Sequence, residues 1–419
     1  DFMEGSPYYL ADRGRESFRV MNGMGFDAVA IGNHDWMMGT EELNRIVAEV
    51  PPQFAFLGAN FLTHSTRQAL REHLKPYHVF DKAGSRIAVL GLTTNEWIYQ
   101  SPADRIAGPI NTANRLMKEM QSRSDFVIAL THLGVAKDRR LVERTRGVDL
   151  VVGGHSHTVL SEPVIAQDRR GRMVGIVQTG AHGENVGELL VDVVPGQPLV
   201  IKSYELHAVN AQAPRDPQMQ SLVQHARRAL DAEYGASWLS EVVGFSEVNA
   251  SYSSHSDNPW NQFVTDSFRE STGADAVLHV TSFTYPYNTQ GSVTREGLFS
   301  FFPRLESLDE RKGWSLWTAR IPGLLLKELK KLGEKAGLFV SIHLSGGGPI
   351  HDTREYTIAF PEGIALRSKE IPGITPLILR KMRNSNVPIW ESLEAHFRQI
   401  GVLRPGGTSA SQPLQDILH

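Results

Sequence analysis

Apolar residues in this chain fall into short runs, separated by turn residues and by stretches with helical spacing. Phe26 to Ile31, Arg86 to Leu92, Asp125 to Leu130, Val148 to Val152, Gly175 to Thr179 and Glu188 to Val194 read as strands. Between them, Arg15 to Met24, Glu41 to Val50, Ile110 to Ser122 and Asp138 to Thr145 carry the spacing of helices with one buried face. Strands alternating with helices predict an α/β layered sheet. Pro195-Gly-Gln-Pro198 and Ala213-Pro-Arg-Asp-Pro217 mark a change of unit, and Asp216 to Tyr234 follows as one amphipathic helix. A second unit opens near Glu241, with helix Trp260 to Ser271, strand Asp275 to Val280, helix Leu324 to Gly337 and strand Phe339 to Leu344. The expected division is therefore a first domain over 1–195, a linker with a long helix over 196–240, an α+β domain over 241–400 and a turn-rich tail over 401–419.

Length and composition narrow the function classes. The 419 residues suffice for two or three domains, each with its own core. A 41% apolar and 21% charged composition is that of a folded globular chain rather than a disordered one. With 43 basic against 46 acidic residues, the formal net charge of -3 argues against binding a nucleic-acid polymer. No apolar run approaches the roughly 18 residues of a membrane-spanning helix. There is no cysteine, so disulfides, thiolate zinc sites and cysteine nucleophiles are excluded. Any metal must be held by His, Asp, Asn or Glu.

Three of the histidine settings stand out. Gly32-Asn33-His34-Asp35, Thr131-His132-Leu133-Gly134 and Gly153-Gly154-His155-Ser156-His157 each follow an apolar run that reads as a central strand. In open α/β sheets, side chains beyond the carboxyl ends of strands converge on the ligand crevice. A single histidine after a strand is usually an ordinary polar residue. Three such loops together point to a metal, because neutral imidazole suits borderline cations and carboxylate suits harder ones. His155 and His157, two apart, would point to opposite sides of an extended loop and could serve two cations. A cation pair roughly 3.5–4 Å apart suits in-line displacement at phosphorus. His182 is set apart from the remaining histidines, without a role.

These motifs, in this order, resemble the calcineurin-like metallophosphoesterases, and most of all their bacterial 5′-nucleotidase branch. Asp1 to Tyr9, Leu57-Gly-Ala-Asn60, Ile87 to Thr94 and Val177 to Gly183 follow the same pattern. The resemblance is dense over residues 1 to about 195 and looser from 241 to 400. It implies a layered β-sandwich flanked by helices with a second α+β domain. It also implies two divalent metal ions (Mn, Zn or another transition metal) and hydrolysis of small phosphate esters or nucleotides by a metal-bridging hydroxide. Carried over by residue, Asp1 would bridge the metals, Asn33, His132 and His155 would complete one site, and His157 would serve the other. His34 matches the catalytic histidine. Family members are typically exported, so the resemblance also implies nucleotide catabolism in the periplasm or outside the cell. Oligomeric state is left open.

The chain departs from that pattern in several places. The family's Asp-x-His motif lies before the bridging aspartate, where this sequence begins, so an N-terminally truncated sequence is the expectation. Met37 stands where the family carries an aspartate three residues after the catalytic histidine, and Asp35 is expected to face elsewhere. In the second domain, Trp260 to Phe268, Thr272-Gly-Ala-Asp275, Gly291-Ser-Val-Thr294 and Gly346 to Gly348 agree with the nucleotidase pattern. The family's substrate arginine is replaced, with Tyr285 in its place, and Arg304 stands where the first base-stacking ring is usual. Phe360 matches the second ring, and Phe283, Tyr285 and Tyr287 could stack on a base or pack around a turn. Two alternatives stay open. One is a thiosulfohydrolase-like sulfur-ester hydrolase. The other is a non-catalytic binding protein that has kept the fold.

Overall fold

The computed structural model describes all residues except Glu4, Met38, Ala83, 97–103, 251–257, 286–288, 306–312, Gly337, 343–347, 368–381 and 406–419. Tyr287, Gly346, Gly347 and most of the expected tail therefore lie outside the described residues. The chain forms two compact units: Asp1–Met3 with Gly14–Gln224, and Glu4–Arg13 with His225–His419. The expected boundary at 195 falls inside a hairpin, because Asn185–Asp192 pairs antiparallel with Val200–Ala208. The long helix, Pro217–Tyr234, spans the division at Gln224.

The first unit is built on a six-stranded sheet. Its order is Tyr77–Lys82, Ser85–Thr93, Phe126–His132, Leu150–Val152, Met173–Val177 and Val164–Gln167. The four central strands run parallel, and antiparallel strands close both edges. Helices Pro109–Arg123 and Val135–Arg144 supply the crossovers, the first with proline in its opening turn, where a missing N–H costs nothing. Leu90, Leu92, Leu116, Met120, Val127, Leu141 and Ile176 form the core between helices and sheet. A small parallel pair, Ala28–Ala30 with Ala55–Leu57, packs on the larger sheet. Contact there is at backbone range: a Cβ on Gly91 would sit 2.3 Å from Leu57 Cβ. Asn60 locks this junction. Its amide donates to Thr93 O (2.8 Å) and Ala107 O (3.0 Å), and its oxygen accepts from Thr93 N (2.9 Å).

Register brings the parallel strands to a common end. Thr93 lies opposite His132, Leu130 opposite Val152, and Val152 opposite Val177. The loops that follow, 94–96, 133–134, 153–158 and 178–184, therefore leave the same edge of the sheet.

The second unit holds a five-stranded mixed sheet, ordered Leu338–Ile342, Ala276–Val280, Glu355–Pro361, Ser315–Pro322 and Arg383–Pro388. A three-stranded sheet of Gly291–Thr294, Val242–Ser246 and Val402–Leu403 accompanies it. Helix Pro259–Thr272 starts where its sequence says it should: Asn258 caps it, accepting from Trp260 N at 3.1 Å, and Gly273 ends it with φ 65°. One residue is at odds with its surroundings. His279, on the Ala276–Val280 strand inside the sheet, is fully buried near Phe268 and Phe302, with neither ring nitrogen hydrogen-bonded among the described residues. Burial pushes its pKa down to about 3.

Two stability outcomes follow from these contacts. Asn60→Ala removes three hydrogen bonds, two of them buried, and strands backbone groups of Thr93, so it should cost about 2–4 kcal/mol in urea unfolding. His279→Leu removes an unsatisfied buried imidazole and should stabilise by about 1–2 kcal/mol at pH 7.5. Because the folded pKa of His279 lies below the unfolded value of about 6.5, the unfolded chain takes up the proton first, and stability drains away as pH falls through that window. The advantage of the leucine variant should therefore widen at pH 5. An advantage that shrinks on acidification would contradict this account.

Candidate metal centre

Each element delivers its functional side chain for an identifiable local reason. His132 closes the strand Phe126–His132, and Thr131, one residue earlier, points to the opposite face of the pleat. There Thr131 Oγ1 donates to Asp138 Oδ1 at 2.6 Å, on the first turn of the next helix. Asp138 is fully buried, and burial raises its pKa to about 7, opposed by the bond from Thr131. Its second oxygen lies 2.5 Å from where a Cβ of Gly153 would be, so only glycine lets the 153–157 loop approach so closely. Gly134, at φ 87°, donates to Gly154 O at 2.9 Å, and Ser156 Oγ donates to Gln178 Oε1 at 2.8 Å. The loops after three neighbouring strands are thus tied to one another.

On this frame Asp1, His132 and His155 come together, with one potential ligand atom from each lying within 4.8 Å of the others. Asp1 Oδ2 is 2.8 Å from His132 Nε2, and Asn33 Oδ1 is 3.1 Å from the same nitrogen. The amide nitrogen of Asn33 is buried with no hydrogen-bond partner among the described residues, so the side chain is turned with its oxygen toward the cluster. Burial holds the pKa of His132 well below its usual value and lowers that of His155 to about 4. Both rings are therefore neutral at pH 7, with lone pairs available. A carboxylate, two neutral imidazoles and an amide oxygen converging without a hydrogen between every pair suit a divalent cation. The donor set fits the metal site expected from the sequence.

His34 opens a single 3₁₀ turn, His34–Trp36, and its backbone N–H donates to Asp1 Oδ1 at 2.8 Å. Asp35 does face elsewhere. Fully buried, it accepts from Gly32 N at 2.7 Å and from Phe2 N at 2.8 Å, fastening the Asp1 segment to the Asn33 loop. The Phe2 ring anchors the same segment against Phe18, with centroids 5.0 Å apart. His157 stands outside the Asp1 set, its ring 5.5 Å from that of His182.

Sequence reasoning passed over Glu96 and Lys137. Glu96 Oε1 lies 3.8 Å from His155 Nε2 and pairs with the Lys137 ammonium, which also reaches Thr94 Oγ1 at 3.3 Å. The signal was present: Thr94-Asn-Glu96 follows a central strand just as the histidine loops do. The expected substrate residues all lie in the second unit. The Arg304 guanidinium sits over the rings of Phe283 (5.6 Å) and Trp314 (5.8 Å), and Tyr285 N donates to Phe301 O at 2.6 Å. Phe360 departs from expectation. It is 1% exposed on a core strand, packed with the buried cluster around Tyr356 and Ile358, so neither face of its ring is left for a base.

No protein-family model matches the chain. The snake venom 5′-nucleotidase of Gloydius brevicauda is 28% identical over 213 residues, 46% of this chain and 35% of that protein. The chain thus spans about a third of that curated relative's length. The 5′-nucleotidase precursor from Thermus thermophilus superposes with a TM-score of 0.80 at 20% identity, over 95% of this chain and 85% of the other. The Thermus thermophilus sulfate thiohydrolase SoxB gives 0.72 at 18% identity, over 96% and 76%. The fold, two units with an α/β first part, is the one these two solved structures share with the chain. In sequence about half of the chain is similar to curated 5′-nucleotidases.

Asp35→Ala tests the frame without touching a ligand. Loss of both backbone anchors should weaken Mn²⁺ or Co²⁺ binding about tenfold, the lower range for removing a partner that orients metal ligands. Asp35→Asn, which keeps one acceptor oxygen, should fall between. Unchanged affinity in isothermal titration of both variants would mean that the loop holds itself.

Proposed function

We propose that this chain hydrolyses phosphate esters, nucleotides foremost, with two divalent cations. The observation that carries the reading is the convergence of Asp1, His132 and His155 within 4.8 Å, with Asn33 Oδ1 turned toward them. Asp1, Asn33, His132 and His155 would hold one cation, and His157, with Asp1 as the shared carboxylate, would serve the second. Bound there, the cations supply Lewis-acid polarisation of a phosphoryl oxygen and a nucleophile at neutral pH. The residues of the chain do the rest. His34, anchored through its N–H to the Asp1 carboxylate, gives a proton to the oxygen of the departing alcohol. Lys137, beside Glu96 and His155, places positive charge where a phosphate dianion would arrive.

Within the second unit, Phe283 and Tyr285 offer aromatic surface and Arg304 offers planar stacking, chemistry that suits a base. With Phe360 enclosed, the two-ring clamp of the family is not the arrangement used here. Export to the periplasm or the exterior completes the reading, with Mn²⁺ or Zn²⁺ as the metals. Among the described residues, no helix is long and apolar enough to cross a membrane.

The test is an assay of the full chain, stripped of metal and reloaded with Mn²⁺ or Zn²⁺, on an aryl phosphate, a nucleotide panel and a thiosulfate ester. Hydrolysis of nucleoside monophosphates, abolished by chelation and restored by metal, is the expected result. His34→Gln should lower kcat roughly 10²- to 10³-fold with little change in cation uptake. Turnover confined to the thiosulfate ester would favour sulfur chemistry, in keeping with the fold shared with SoxB. Nucleotide binding without turnover of any substrate would instead make this a binding protein.

A further inference from the structure

His182 lies on the loop between the strands Met173–Val177 and Asn185–Asp192, and the Asp1 cluster makes no use of it. Its placement beside His157 is built in. Leu160 N donates to Gln178 O at 3.0 Å, and Val159 bridges Thr179 in antiparallel fashion, so the chain leaving His157 is paired with the chain entering the His182 loop. A Cβ on Gly180 would lie 2.8 Å from Val159 Cγ2, so the two loops touch. The second loop is also closed on itself, with Glu184 N donating to Ala181 O at 3.1 Å and Asn185 Nδ2 to Thr179 O at 3.2 Å.

Backbone conformation adds an independent sign. Among the described residues, five that are not glycine have positive φ, and three of them are His155 (82°), His157 (54°) and His182 (57°). Histidine tolerates this region better than most residues, yet each instance still costs of order 1 kcal/mol, and such costs gather at functional sites. Glycine would occupy all three positions without steric strain. The retained imidazoles are therefore held by something other than backbone preference.

The ring spacing agrees with a shared cation as well as with simple edge contact. Two imidazoles on one tetrahedral cation, each with a nitrogen about 2.1 Å from it, have ring centroids about 5 Å apart. His132 and His155 are at 5.0 Å, and His157 and His182 at 5.5 Å. We infer that His182 joins His157 as a second imidazole for the second cation, so that each cation is gripped by one pair of histidines from neighbouring loops. The inference rests on the two-cation reading given above. The ligand class is a borderline divalent ion such as Co²⁺, Zn²⁺ or Mn²⁺, since two imidazoles bind these far better than Mg²⁺ or Ca²⁺.

The experiment is Co²⁺ titration of the metal-free full chain, read by visible d–d absorption and by elemental analysis after gel filtration. His182→Gly is the informative variant, because it removes the imidazole and leaves a residue at ease with φ near 57°. The expected result is two equivalents on the unmutated chain and an at least tenfold weaker second equivalent on His182→Gly. The metal-free melting temperature should be equal or higher. His155→Gln should weaken the first equivalent instead. Two equivalents bound by His182→Gly as tightly as by the unmutated chain would overturn the inference, as would equal weakening of both. Fewer than two equivalents on the unmutated chain would remove the two-cation reading itself, and this inference with it.

Discussion

The centre depends on one constraint, the common level at which parallel strands stop. Thr93 faces His132 across one strand pair, and Val152 faces Val177 across another, so four loops are released from one edge of a single sheet. That level is held from behind by contacts with almost no slack. Gly91 admits the backbone of the smaller sheet, Asn60 ties the two at Thr93, and Asp138 fills the space beneath Thr131 and Gly153. None of these residues would touch a metal, yet each decides where a ligand can be. The centre is thus prebuilt, and cations would enter a site whose donors are already placed.

Much of this could be read from the chain without coordinates. Polar side chains directly after β-branched runs gave away the edge of the sheet, and glycines beside histidines gave away the tight loops. What escaped was whatever depends on a partner distant in sequence. The pairing of Val200–Ala208 with Asn185–Asp192 was invisible because both strands are largely exposed and carry mixed polar and apolar residues. Glu96 was missed because a lone carboxylate after a strand has no glycine to mark it. His157 and His182 are 25 positions apart, and it is the pairing of 159–160 with 178–179 that makes them neighbours.

The second unit shows the opposite limit, where local sequence pattern suggested more than the packing allows. An aromatic residue in a stretch resembling a binding segment is equally at home on a core strand, and Phe360 took the core. Arg304 shows that a position can change chemistry and still keep aromatic company, since it lies over Phe283 and Trp314. What the packing shows in this unit is a cation–π arrangement around Arg304 rather than a fork-shaped guanidinium free to clamp an anion.

The left-handed backbone at His155, His157 and His182 bears on how such a protein would age over generations. At these positions the conformationally easiest replacement is glycine, and glycine has no donor atom. Mutational drift toward glycine would therefore relieve local backbone strain while removing the donor. Were the three histidines to serve cations as proposed, the silent copies among descendants of this chain should be the sturdier ones, and selection on the metal centre would be what keeps imidazoles in these turns.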